Sequence, residues 1–318
     1  MFLTELRREL RKLFYKERCI LISLVVLIIV TLLAILQYRP VPENWRDSIA
    51  KEIQENNAAV RELTQMFGKD QEVEAIFANE NKLLRYRLEH NISPAKSVFE
   101  YLSDNMSTYF VLMVIISICI AASVLGVEYK NGTIFHLAAR EVKLQTVILA
   151  KICAFLIFVF VLVLYLLAAA FLSAGIIMHK NGFSVMAIVV NDTGNMTFVN
   201  SARVIAESLL VMLPALLFFG MLSMLLSALL KSKGYANVLA ILIYFFEPMI
   251  LNNLDVPAAI SPWIVFNSAD TLINAIGTSV KWTSKTIQTA LLCVFLNTLL
   301  LAVIVSTYFC RKPFPGKK

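Results

Sequence analysis

Three carboxylates stand where apolar residues surround them: Glu128, Glu207 and Glu247. Glu128 closes an apolar run and opens the string Glu128-Tyr129-Lys130-Asn131-Gly132-Thr133. Glu207 lies near the start of another run and reads as an interfacial residue. Glu247 lies about eleven residues into a third run, roughly 16 Å along a helix, and Pro248 follows it. A charge near mid-bilayer costs at least about 2.5 kcal/mol, so Glu247 must face protein or water. One reading of Glu247–Pro248 is a polar point or gate on a path across the bilayer. The other is a carboxyl hydrogen-bonded where a proline breaks the helix.

Other chemistry is missing. No GxxxxGK[ST] occurs, so the sequence holds no P-loop for ATP. Neither HExxH nor GxSxG occurs, and His90, His136 and His179 are scattered. Cys19, Cys119, Cys153, Cys293 and Cys310 lie in or beside apolar runs, without the spacing of a zinc site or a disulfide framework. No catalytic residue, metal or cofactor is expected in this chain.

These residues sit in a membrane protein. Of 318 residues, 58% are apolar and 16% charged, with mean hydropathy +0.72. Soluble domains average about 45–50% apolar and about 25% charged. About 20 consecutive apolar residues span a bilayer, and the chain has several such runs. The net charge of +7 comes from basic residues at the ends of those runs. Topology explains that placement better than nucleic-acid binding.

The expected fold is all-α and polytopic, with six spans. An amphipathic interfacial helix fills 1–18, with Leu3, Leu6, Leu10 and Leu13 on one face and Arg7, Arg8, Arg11 and Lys12 on the other. The spans fall at 19–38, 107–127, 147–178, 204–230, 235–251 and 286–310, with the fifth interrupted late by Glu247-Pro248. The first is too long and lacks the cleavage site of a removable signal. Residues 39–106 form a helical segment outside the membrane. Apolar residues there recur at helical spacing on either side of Gly68, and Ser93-Pro94 reads as the start of a helix entering the second span. Residues 128–146 form a loop holding a short amphipathic helix capped by Thr133, 179–203 a polar outside loop, 252–285 an outside or re-entrant segment, and 311–318 a basic tail. Lys and Arg concentrate on the side of 1–18, 128–146, 231–233 and the tail. That places both termini in the cytoplasm.

The Glu128-x-x-x-Gly132-Thr133 string after the second span resembles the cytoplasmic loop signature of ABC-2 type exporter permeases. The basic N-terminal helix, six spans, long third span and proline-containing segment before the last span are similar to that family too. The resemblance implies a permease subunit of an ABC exporter. ATP and Mg would be held by a separate ATPase subunit, and a second permease copy, identical or related, would complete the path. It also implies that Glu128, Tyr129, Lys130, Gly132, Thr133, Arg7 and Arg11 couple the spans to the ATPase. The first of the two readings of Glu247 and Pro248 would put them on the translocation path. The large external segment resembles that of members linked to peptide export or peptide immunity. The expected substrate is hydrophobic or amphipathic, a peptide before a lipid or drug, and the expected location is a bacterial plasma membrane. The rival reading is a non-transporting sensor or immunity protein that binds a peptide with its external helices.

Overall fold

The computed structural model describes residues 2–38, 44–67, 71–90, 93, 95–131, 144–190, 196–252, 264–276 and 284–311. In chain order the helices are α1 (Phe2–Leu13), α2 (Lys16–Gln37), α3 (Trp45–Phe67), α4 (Gln71–Glu89), α5 (Val98–Asp104), α6 (Met106–Lys130), α7 (Leu144–Ile177), α8 (Ser201–Leu230), α9 (Lys233–Asn252), α10 (Val265–Asn274) and α11 (Lys285–Arg311). Two strands, β1 (Met186–Val190) and β2 (Met196–Asn200), stand between α7 and α8.

Among the described residues, five helices are long and apolar enough to cross a bilayer: Cys19–Gln37, Met106–Lys130, Leu144–Ile177, Ser201–Leu230 and Lys285–Tyr308. In α9 the apolar stretch Lys233–Phe246 is shorter. The helical backbone of α9 nevertheless runs on through Glu247 and Pro248 to Asn252, so the expected interruption is not present. The cost there is local, since Pro248 has no amide to donate back to Tyr244.

The contacts divide the chain into two compact units, with boundaries inside α2, α7 and α8. The first holds residues 1–29, 105–169 and 205–318. Its spans differ sharply in burial. The apolar windows of α6, α7 and α8 are 67%, 61% and 56% buried, whereas that of α11 is 22% buried. So α6, α7 and α8 form the packed centre, and most of α11 is left uncovered by the rest of the chain. In lipid there is little hydrophobic drive between helices, so small residues and hydroxyls decide how closely they pack. Ser117 Oγ donates to Leu216 O at 3.3 Å and Ser223 Oγ donates to Ile118 O at 2.9 Å, joining α6 to α8 twice. Between those bonds Gly220 leaves room for the Phe155 ring of α7; a Cβ there would collide with that ring and lie 2.9 Å from Ser117 Oγ. Edge-to-face rings continue the packing from Phe219 to Tyr244 of α9 and from Phe218 to Phe266 of α10. At the other end of α6, Gly126 admits the first residue of α9, and a Cβ would sit 2.9 Å from the Lys233 backbone. The α8–α9 turn that brings Lys233 there is tight, with Lys231 at φ 52°.

The second unit holds residues 30–104 and 170–204. Helices α3 and α4 pack as a hairpin. Asn81 sets their register, accepting from Asn56 at 3.2 Å and donating to Asn57 at 3.1 Å. The Arg87–Glu100 pair, at 3.4 Å and largely buried on both sides, joins α4 to α5. Burial raises the Glu100 carboxyl above its ordinary value, and the Arg87 charge offsets this only in part.

Two expectations are corrected here. The helix entering the second span does not start at Ser93-Pro94. It starts at Val98, capped by Ser97, whose Oγ accepts from Glu100 N at 3.2 Å, and it breaks at Asn105 before α6 begins. Residues 179–203 are not a plain polar loop. After a short 3-10 turn at His179–Asn181, β1 and β2 pair antiparallel, with Met186 opposite Asn200 and Val190 opposite Met196.

The Gly126 contact is testable, because a backbone neighbour cannot swing aside. Gly126→Ala is expected to lower stability by about 1–3 kcal/mol through overpacking, despite the better helix propensity of alanine. Thermal unfolding of the detergent-purified protein reads this out, and an unchanged midpoint would show that α9 is not seated there.

Candidate functional site

Helix α1 carries three kinds of surface. At 100° per residue Glu5, Glu9 and Leu13 share one face, and these are its buried residues, 6%, 4% and 5% exposed. Leu6 and Leu10 are half-buried on the adjacent sector, and Leu3 is exposed there. Arg7 and Arg11 point to a third side and are exposed. The simple division into leucine and arginine faces therefore needs correction, since the face turned inward carries acid.

The acid is matched by a lysine inside a span. Lys151 lies eight positions into α7 and is 1% exposed. A buried ammonium needs partners. Lys151 Nζ lies 2.9 Å from Glu9 Oε2 and 2.6 Å from Glu128 Oε1. Lys12 Nζ lies 2.8 Å from Glu9 Oε1 and 3.1 Å from the same Glu128 oxygen. The four side chains form a closed ring of alternating charge: Glu9, Lys151, Glu128, Lys12. Two carboxylates balance two ammoniums, so the ring is neutral. It joins three elements distant in sequence: α1, the last turn of α6 and the first third of α7. Lys12 closes it from the open side, with its side chain about half exposed.

Burial alone would raise the Glu9 carboxyl. The Lys151 charge and the hydrogen bonds from Lys12 and Lys151 outweigh that and hold it below its ordinary value. For Lys12 burial pulls the other way, and the bond to Glu9 wins and holds its ammonium above the ordinary value. Both shifts favour the charged pair near neutral pH.

Among the expected site residues, Glu128 is thus buried at the centre of the cluster, 7% exposed. Tyr129 is half-buried and Lys130 exposed beside it, and Asn131 ends the helix through its amide bond to Val127 O at 3.0 Å. Gly132 and Thr133 lie outside the described residues. Arg7 and Arg11 belong to α1 but are not members of the ring. Glu247 and Pro248 are on the helical backbone of α9, and their side chains lie outside the described residues. Glu207 is 6% exposed. Sequence reasoning missed Glu9, Lys12 and Lys151. The signal for Lys151 was present, as a lone lysine within a run otherwise able to span the bilayer.

A bundle of apolar helices with a buried charge cluster at the meeting of α1, α6 and α7 defines a polytopic membrane protein. The family model described as ABC-2 family transporter protein matches residues 4–310. The chain belongs to that family: it is an ABC-2 type permease, a transmembrane subunit of an ABC transporter, and membership implies an ATPase partner. No curated protein matches the chain.

Removing one member of the ring leaves like charges facing each other. Lys151→Met is expected to cost about 3–5 kcal/mol, and Glu9→Gln with Lys151→Met less than the sum of the single changes. A double-mutant cycle on thermal stability measures this; additive losses would deny the contact. The pH response follows from the directions above. A lowered Glu9 pKa contributes stability above the ordinary carboxylate range, and that contribution is lost as pH falls through the lowered value. A raised Lys12 pKa contributes below the ordinary lysine range, and that contribution is lost as pH rises through the raised value. Protection of the α1 amides, taken relative to their intrinsic exchange rates at each pH, is therefore expected to be steady near neutral pH and to fall in acid. A fall in protection between pH 6 and 8 would contradict the ring.

Proposed function

We propose that this permease is an exporter subunit in which the ring carries motion from an ATPase subunit to the spans. The reading rests on one observation above all. The signature carboxylate Glu128 is not an exposed contact for a partner, but an internal brace that ties α6 to α7 and α1. The ATPase, holding ATP and Mg, would press on the loop that starts at Tyr129 and Lys130 and continues through Gly132 and Thr133. A push there reaches Glu128 within one helical turn. The ring then shares the displacement with α1 and α7.

In this reading α9 is a sixth span, both termini are cytoplasmic, and the α3–α4 hairpin stands outside. Helix α7, with 34 residues, is about 51 Å long, against about 30 Å of hydrocarbon. It overreaches the bilayer by about 20 Å unless tilted, which suits a helix that receives force beyond the membrane. A second permease, identical or related, completes the path at the interface of the two copies. The substrate leaves outward and is hydrophobic or amphipathic, with a peptide favoured by the external amphipathic helices. Glu247 and Pro248 are assigned to the path because a carboxylate at that depth must face water or protein.

The test is a complex purified with its ATPase. Glu128→Gln is expected to retain the ATPase subunit and ATP hydrolysis. ATP with vanadate should no longer change the hydrogen exchange of α6 and α7, a change the unaltered complex shows. An unaltered exchange response in the variant would remove Glu128 from coupling. Failure of any P-loop ATPase to copurify with the unaltered chain would remove the exporter reading.

A further inference from the structure

The ring uses only one side of α1. Its third side is open and presents Thr4, Arg7, Arg8, Arg11, Lys12 and, just past its end, Tyr15. Arg8 is held by Glu5 at 2.9 Å, and Lys12 is held in the ring. Among the described residues Arg7 and Arg11 have no acidic partner. Two guanidiniums one helical turn apart are thus presented together, with a phenol and a threonine hydroxyl at the edge.

Two neighbouring features indicate what these guanidiniums face. The arginine sector adjoins the sector of Leu3, Leu6 and Leu10, so α1 is amphipathic on its outward half. The chain then turns within two residues into α2, whose apolar span starts at Cys19. That fixes α1 at the level where a span meets the headgroups, with leucines towards acyl chains and arginines towards phosphates. At the same corner the residue before Tyr15 opens a cavity. Phe14 lines an apolar groove of about 220 Å³ between α2 and α7, together with Ile22, Phe158, Val161, Leu162 and Tyr165. Tyr165 Oη donates to Ser23 O at 2.9 Å across this groove and holds the two helices at that spacing. The cationic face ends at Tyr15 and the apolar groove begins at Phe14, and together they match the two parts of one ligand class. An acidic protein surface would use the first and leave the second empty.

We propose that this corner binds one anionic phospholipid, its phosphate on Arg7 and Arg11 and an acyl chain in the groove between α2 and α7. The guanidinium fork favours a phosphate oxygen pair. Bound there, the lipid holds α1 from outside while the ring holds it from inside. The site is defined on the permease alone, and it stands whether or not Glu128 couples to an ATPase.

The test uses the full chain in detergent without any ATPase. Phosphatidylglycerol, phosphatidylcholine and inorganic phosphate are each titrated against thermal unfolding. Phosphatidylglycerol is expected to raise the apparent midpoint by about 3–6 °C, and the other two to leave it within error. Arg7→Gln with Arg11→Gln should abolish that rise and keep the lipid-free midpoint. Arg7→Lys with Arg11→Lys should keep most of it, which separates loss of charge from loss of folding. Leu162→Trp, which fills the groove, should require more phosphatidylglycerol for the same rise. An equal rise with phosphatidylcholine would make the effect a general lipid effect and overturn the proposal. An equal rise with inorganic phosphate would make the arginine face a free-anion site and overturn it too. The proposal also falls if the glutamine pair keeps its phosphatidylglycerol response.

Discussion

The ring of Glu9, Lys151, Glu128 and Lys12 is the constraint on which the arrangement of α1 depends. A 12-residue helix is marginal in isolation, and of the three residues this one buries only Leu13 is apolar. What fixes it is that Lys151 sits almost fully buried in α7 and cannot remain there without carboxylates. Glu128 supplies one, from the last turn of α6, and Glu9 the other. Each carboxylate then needs more positive charge than a shared lysine provides, and Lys12 supplies it from the same helix as Glu9. None of the four can be deleted without leaving an uncompensated charge. For that reason the ring specifies position better than apolar packing would: leucines on a leucine surface could slide by a turn, whereas these charges meet in one register.

The same economy operates deeper in the bundle by other means. There the register between α6 and α8 is set by Ser117, Ser223 and Gly220. Hydroxyls donating to carbonyls of a neighbouring helix replace water that lipid does not provide. A glycine admits a ring where any side chain would hold the helices apart. The centre is thus pinned by small residues and its end by charged ones, each chosen for the dielectric it occupies.

Much of this was legible in the sequence. Runs of apolar residues marked the spans, because nothing else accounts for 20 or more such residues between polar flanks. The α3–α4 hairpin followed from helical spacing on either side of Gly68. The ring was only half legible. Glu128 stood out by its place after a span, but its partners lie 116 and 23 residues away in sequence, and spacing alone does not pair them. Glu9 was hidden by its neighbours, because an acid among four bases in one short helix reads as part of a polar face. Burial reverses that: the bases can reach water and the acids are the ones turned inward. The β-hairpin was missed for a different reason. Ile188-Val189-Val190 and Thr197-Phe198-Val199 flank Asn191, Asp192 and Gly194, which is a hairpin pattern. It was read by its polarity instead of its alternation with turn residues.

A closed ring also limits how the bundle can move. Motion of the end of α6 must either carry α1 and α7 with it or separate charges that are buried and paired. The second option costs several kcal/mol, far more than thermal energy supplies. The hydroxyl bonds from α6 to α8 extend the same body, and Gly126 seats the start of α9 against it. By contrast, α2 meets α7 through neutral groups: Tyr165 Oη donates to Ser23 O, the Thr31 and Ser173 hydroxyls bond at 3.0 Å, and the groove between the helices is apolar. A seam held by neutral bonds shifts at less cost than one that must separate buried charges. This seam is also where α1 turns into α2, so a molecule that fills it would act on a joint the ring does not itself hold.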